Sequence, residues 1–282
     1  MAGSLEGQAA LVTGAGRGFG RAIAERLAAE GAAVTLVARS RDQLDETVAD
    51  IASRGGRACA AAGDVTDRSD VERAVREAEA QFGPLTLLVN NAGVPGPFGP
   101  IWAVDPEEWW RAQEVHIKAP MLFLHAVLPG MVERKSGRVI VVSAIAARMV
   151  APHLSAYCTG KIAQTRLVEE AAAETKEHGV SVFAIDPGFV FTSLADETMR
   201  SPDAQRWLPG MVERLKQASH SADSRADLAR CAQRCVDLAS GRYDGLSGRY
   251  MELADDLDAM LKGARPHWQK DGPPPQPVPG QH

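Results

Sequence analysis

The stretch Ala9-Ala10-Leu11-Val12-Thr13-Gly14-Ala15-Gly16-Arg17-Gly18-Phe19-Gly20 decides how this chain folds. Residues 9–13 read as a buried strand, the glycines that follow as a tight turn, and the residues to about Glu30 as an amphipathic helix. A helix N-terminus behind a glycine turn presents free N–H groups to a phosphate. Any sharp reversal also uses glycine for its backbone angles. Strand before and helix after favour the nucleotide reading. The spacing, Gly-x3-Gly-x-Gly, departs from the G-x-G-x-x-G of the general dinucleotide fingerprint.

Working outward, strand and helix patterns alternate. Strands are expected at 33–38, 57–62, 85–90, 137–143, 180–185 and 248–252, and helices at 42–54, 67–82, 105–132, 157–178 and 223–240. Leu85 to Asn90 is continuously apolar, as in a parallel sheet covered on both faces. Asp105 is the N-cap and Pro106 the first residue of one long helix. This alternation predicts an α/β fold: a single doubly wound, Rossmann-type parallel sheet with helices on both faces. Residues 1–255 form that domain. Residues 256–282 form a C-terminal extension whose end, Asp271 to His282, holds five prolines in twelve residues. No internal repeat is visible.

Net charge of −5 with dispersed basic residues leaves no electrostatic footprint for nucleic acid or an anionic membrane. The longest apolar stretch, Ala119 to Val132, is too short to span a bilayer. Cys59, Cys158, Cys231 and Cys235 lack the spacing of a zinc set and read as thiols in a reducing cytosol. No signal peptide fits before a strand that starts at Ala9. A cytoplasmic protein without a metal is expected.

Chemistry concentrates in Tyr157-Cys158-Thr159-Gly160-Lys161. Tyr and Lys four apart on a helix share one face. A nearby ammonium favours the phenolate, so the pair can act as an acid–base couple. On a solvated helix the same pair means nothing, and its company decides.

That company is Thr13-Gly14-x3-Gly18-x-Gly20, then Asn90-Asn91-Ala92-Gly93, a strand ending in Ser143, and the Tyr157–Lys161 turn. Together they resemble the short-chain dehydrogenase/reductase family over about residues 5 to 252, in its NADP-preferring branch. The resemblance implies NADP(H)-dependent hydride transfer between a carbonyl and a secondary alcohol. Ser143 would bind the substrate oxygen, Tyr157 would be the general acid–base, and Lys161 would lower the tyrosine pKa and bind the nicotinamide ribose. The cofactor would meet Gly14, Arg17, Gly18, Phe19, Gly20, Asp64, Val65, Asn91, Ala92, Gly93, Pro187, Gly188, Val190 and Thr192. The second strand ends in Ala38-Arg39 where an NAD site carries an acid, so Arg39 and Arg17 suit a 2′-phosphate. The resemblance further implies a homotetramer or homodimer built through helices 105–132 and 157–178. It also implies a small helical lid at about 193–223, whose apolar residues suit a small-molecule substrate with a hydrophobic portion.

One position leaves the family. Its catalytic Asn falls at His116, in Val115-His116-Ile117-Lys118-Ala119, and Asn90 and Asn91 are the only asparagines in the chain. His116 is expected to sustain the proton relay while neutral, titrating near pH ~6.5 or lower. His153, in the loop before Tyr157, reads as a solvent-facing polar residue or a second acid–base group. Two other classes stay open: a non-redox epimerase or dehydratase on the same scaffold, and a nucleotide-binding regulator without catalysis.

Overall fold

A computed structural model describes residues 3–190, 192–219 and 222–263. The proline-rich tail expected at 271–282 lies outside the described residues. Seven parallel strands form one sheet: β1 (Ala9–Thr13), β2 (Ala33–Ala38), β3 (Arg57–Ala62), β4 (Leu87–Asn90), β5 (Gly137–Val142), β6 (Val180–Ile185) and β7 (Tyr250–Met251), in the order β3-β2-β1-β4-β5-β6-β7. The order reverses between β1 and β4, which opens a crevice at their carboxyl ends.

Alternation along the strands sorts side chains into two apolar layers. Val12, Val34, Val89, Ile140, Val142, Phe183 and Ile185 face α1 (Gly18–Ala29), α2 (Arg41–Ser53) and α10 (Ala222–Ala239). Leu11, Val37, Leu88, Val139, Val141, Val182 and Ala184 face α3 (Arg68–Phe82), α5 (Ala119–Arg134) and α6 (Ser155–Thr175). Both layers are closed, which is why the strands carry so few polar residues.

The helix expected over 105–132 is three pieces. Asp105 caps α4 (Pro106–Gln113), accepting N–H bonds from Glu107 and Glu108. A π turn (Glu114–Lys118) follows and passes directly into α5. Pro120, at the start of α5, has no N–H to give back to the preceding turn, one of the usual causes of such an irregularity. The run Pro106–Arg134, 29 residues, is long and apolar enough by composition to cross a bilayer. Here Phe123, Leu124, Val127 and Met131 are buried against the sheet.

The segment expected to be a lid is a set of short helices, α7 (Ser193–Arg200), α8 (Pro202–Trp207) and α9 (Pro209–Ser219), and a further helix, α11 (Leu257–Leu261), follows β7. The last strand is only Tyr250–Met251, shorter than the expected 248–252.

Candidate active site

The glycine turn joins β1 to α1 by close approach. A β-carbon on Gly20 would lie 2.2 Å from the carbonyl oxygen of Gly14, and Gly14 itself has φ +65°. The turn is tied to the end of β4. Thr13 Oγ1 accepts the N–H groups of Asn91 at 2.9 Å and Ala92 at 3.0 Å, and Asn91 Nδ2 donates to the Thr13 carbonyl at 2.9 Å. Asn91 and Ala92 thus hold the crevice at its switch point.

The first turn of α1 carries no acidic residue, and its N-cap residue, Arg17, makes no side-chain cap. By contrast Ser40, Asp67 and Asp105 cap α2, α3 and α4. Uncapped N–H groups at a glycine turn fit a dinucleotide pyrophosphate. Thr192, where the lid begins, would be 3.5 Å from a β-carbon on Gly18. Arg17 is exposed and lines a cavity of about 470 Å³ with Asp196, Glu197, Arg200 and Ser201. Arg39 is exposed beyond β2, while Phe19 packs against the core. The carboxylate of Asp64 is taken up locally, accepting from the N–H and hydroxyl of Thr66, both at 2.8 Å. Val65 packs against the core beside α3. Pro187 and Val190 are buried, and Gly188 (φ +84°) lies against Asp227 of α10.

Tyr157 lies in the first turns of α6 and Lys161 one turn later. Lys161 is 3 % exposed, and its ammonium donates to the Val142 carbonyl at 2.9 Å and to Gln164 Oε1 at 3.1 Å. Its Nζ is 5.6 Å from the Tyr157 ring centroid. Burial pulls the lysine down to about 7, with the Asp186 carboxylate opposing. Burial also pushes the Tyr157 phenol well above its usual value, helped by the negative charge of Asp186. The expected depression of the tyrosine pKa gives way to a rise, because desolvation is the largest influence and the Asp186 charge adds to it.

Ser143, expected to bind the substrate oxygen, is buried at the end of β5. Its Oγ is turned into α6, donating to the Lys161 carbonyl at 3.2 Å and lying 3.3 Å from Thr165 Oγ1. Alternation explains this: Val139, Val141 and Ser143 share the face that α6 covers. To bind a substrate oxygen the hydroxyl would have to leave these partners.

His116 sits in the π turn and is fully buried. Its Nε2 is 2.8 Å from the Val94 carbonyl, which fixes Nε2 as the donor and leaves Nδ1 as a bare acceptor without a partner among the described residues. Its ring stands edge-on to Tyr157, centroids 5.5 Å apart at 85°. Burial, reinforced by the charge of Lys161, lowers its pKa to about 3. The expectation that it titrates in the working range fails, because burial and the neighbouring lysine both disfavour the imidazolium. A β-carbon on Gly93 would lie 3.5 Å from His116 Cε1 and 3.8 Å from Lys161 Nζ, so Gly93 borders both.

His153 is half-buried rather than solvent-facing. It has φ +70°, its carbonyl accepts from Gly99 N–H at 3.0 Å, and its ring packs on Trp207 of the lid at 5.2 Å. Around it Phe98, Leu154, Ala204 and Val212, with Tyr157, Cys158, Met199, Leu208 and Met211, form an apolar cluster between lid and α6. Trp109 donates to Ser155 Oγ at 3.2 Å, and Trp110, 61 % exposed, stacks on its ring with centroids 6.2 Å apart.

One residue escaped the sequence reading. Asp186 directly follows β6, as Ser143 follows the paired β5, and its Oδ1 accepts the Ile145 N–H at 3.1 Å. The alternation Val182, Ala184, Asp186 could have placed it on the α6 face.

Residues 8–203 match the family model described as short chain dehydrogenase. A short chain dehydrogenase of Pseudocercospora fijiensis is 36 % identical over 268 residues, 93 % of this chain and 85 % of that one. Another, of Monascus ruber, is 31 % identical and covers 91 % of this chain and 82 % of its own. Among solved structures, a candidate NAD(P)-dependent gluconate 5-dehydrogenase of Beutenbergia cavernae, with NADP bound at low occupancy, superposes with a TM-score of 0.75 at 27 % identity, covering 88 % of this chain and 96 % of that one. Levodione reductase shares the fold at a TM-score of 0.78 and 24 % identity, over 88 % of this chain and 96 % of its own.

Proposed function

Because the chain belongs to the short-chain dehydrogenase family, we propose that it is a cytoplasmic NADP(H)-dependent oxidoreductase that interconverts a carbonyl and a secondary alcohol. The observation that carries this reading is the Tyr157–Lys161 turn at the mouth of a crevice whose glycine turn ends in an uncapped helix. NADP(H), when bound, supplies or accepts the hydride. The first N–H groups of α1 would hold its pyrophosphate, and Arg17 and Arg39, with no acid at the end of β2, favour a 2′-phosphate.

The chain's own task is the proton. Burial keeps the Tyr157 phenol protonated, which suits donation to a carbonyl oxygen as it becomes an alcohol. Lys161 offsets the negative charge that this leaves on the phenolate. Ser143 supports the reaction from behind, holding the carbonyl of Lys161 to the end of β5. His116 is a neutral partner that fixes the Tyr157 ring and anchors Val94.

The apolar lid cluster against Tyr157 suits a substrate with a hydrophobic portion and excludes water from the transfer. Met121 (49 % exposed) on α5 and Ile162 (56 % exposed) on α6 leave apolar surface for a homodimer or homotetramer. The testing experiment is a screen of ketones and secondary alcohols that follows the absorbance of the reduced nicotinamide. Stoichiometric NADPH consumption with ketones is expected. Product formation without net change in NADPH would identify an epimerase or dehydratase instead.

A further inference from the structure

Lys161 must carry a charge in a place that disfavours charge. It is 3 % exposed, and the two acceptors it reaches, the Val142 carbonyl and Gln164 Oε1, are neutral. A buried ammonium without a counter-charge is costly and tends to lose its proton. Burial presses against the proton. One group favours it, the carboxylate of Asp186.

The sheet puts Asp186 there. Val142 pairs with Ile185 in the parallel register, and the Ser143 N–H donates to the Ile185 carbonyl at 2.8 Å, so Ser143 and Asp186 follow side by side. The Lys161 ammonium sits on the carbonyl of that same Val142 at 2.9 Å, so the paired strand ends bring Asp186 and Lys161 into one neighbourhood. Asp186 Oδ1 accepts the Ile145 N–H at 3.1 Å, fastening the segment that leaves Ser143. Its own N–H donates to the Met251 carbonyl at 2.8 Å, fixing the residue against β7.

We propose that Asp186 is the counter-charge of Lys161: a positioning residue that keeps the lysine an ammonium during proton transfer and holds the segment after Ser143 in place. The inference rests on the reading of Tyr157 and Lys161 as the proton-transfer pair. The titratable groups around Asp186 are Lys161 and Tyr157 from α6, Tyr250 and Glu252 from β7 and beyond, and Cys231 from α10. Those around Lys161 are Tyr157, Asp186 and His116. Burial and Glu252 raise the Asp186 pKa to about 6, and burial lowers Lys161 to about 7, so between about 6 and about 7 the carboxylate is largely ionised while the lysine is still largely charged. Removing Asp186 takes away the only attraction in this set, so the lysine loses its proton at lower pH. The acid side, where Lys161 is protonated with or without Asp186, is unaffected.

The test compares the parent with Asp186→Asn, which keeps an oxygen for the Ile145 N–H, and Asp186→Glu, which keeps the charge. Two readouts are taken. One is the pH dependence of ketone reduction by NADPH, whose basic limb follows loss of the Lys161 proton. The other is the 13C NMR titration of the Lys161 side chain, which needs no turnover. Both should move to lower pH by at least about one unit in Asp186→Asn and return toward the parent value in Asp186→Glu. A merely structural role lowers the height of the profile without moving it. An unmoved Lys161 titration in Asp186→Asn overturns the proposal. Should that variant not fold, a parent Lys161 signal lacking any inflection near 6, where Asp186 ionises, overturns it instead. A parent that reduces no ketone would defeat the oxidoreductase reading, while the NMR titration would still decide the role of Asp186.

Discussion

A β-carbon on Gly160 would lie 2.6 Å from the Cβ of His116 and 2.8 Å from its Cγ and Cδ2. The active-site helix and the π turn therefore touch at the one residue of the Tyr157–Lys161 turn that has no side chain. Glycine inside a helix costs about 1 kcal/mol against alanine, so propensity alone would make Gly160→Ala stabilising. The contact predicts the opposite. Forcing a methyl into that space costs about 1–3 kcal/mol and should win. Urea denaturation of Gly160→Ala should show a lower midpoint than the parent; an equal or higher midpoint would mean that the two elements part easily.

The state of His116 gives a second expectation. Its pKa is lowered to about 3 in the fold, against 6.5 for an unperturbed imidazole. Below pH 6.5 the unfolded chain takes up a proton that the native state refuses, so stability falls as pH drops from about 6.5 toward about 3, by at most about 1.4 kcal/mol per unit from this residue. His116→Asn should flatten that part of the stability profile. It should leave the acid side of the activity profile unmoved, since His116 stays neutral wherever the enzyme works. An acid-side inflection that disappears in His116→Asn would show that the imidazole does titrate during turnover.

The strands, the glycine turn and the Tyr157–Lys161 turn were legible because each is a local pattern: an apolar run, a spacing of glycines, a four-residue interval on a helix. The π turn was not. It adds one residue to a helical turn, too small a change for apolar periodicity to register between Ala112 and Ala119. Nor was the burial of His116, which depends on Gly160 more than forty residues away. The direction of the Ser143 hydroxyl was within reach. Val139 and Val141 already point at α6, and a strand's next alternate residue points with them. The family motif drew attention to the serine and away from that alternation, and Asp186 was passed over for the same reason.

Cofactor preference is a third expectation. A charge-assisted bond to a phosphate is worth about 1.5–3 kcal/mol, so Arg39 and Arg17 should give NADPH more than about tenfold tighter binding than NADH. Arg39→Asp should abolish most of that difference by loss of a cation and gain of a repulsion. Fluorescence titration with both nucleotides measures it; equal affinities in the parent would remove the case for a 2′-phosphate site.

Assembly is the fourth. The exposed apolar residues of α5 and α6 should be covered by another copy, giving a dimer or tetramer by sedimentation at micromolar concentration. Met121→Lys with Ile162→Lys should shift it toward monomer. A monomeric parent would show that these helices face solvent.

The central claim is that Tyr157 moves the proton, and one comparison tests it most directly: turnover of Tyr157→Phe and Ser143→Ala beside the parent, with a ketone that the parent reduces. Tyr157→Phe keeps the ring against His116 and Lys161 but has no proton to give, so turnover should fall by about 10²–10⁴ while NADPH still binds. Ser143→Ala, whose hydroxyl is engaged with α6, should lose far less. A Tyr157→Phe protein as active as the parent, or one that loses less than Ser143→Ala, would contradict the account.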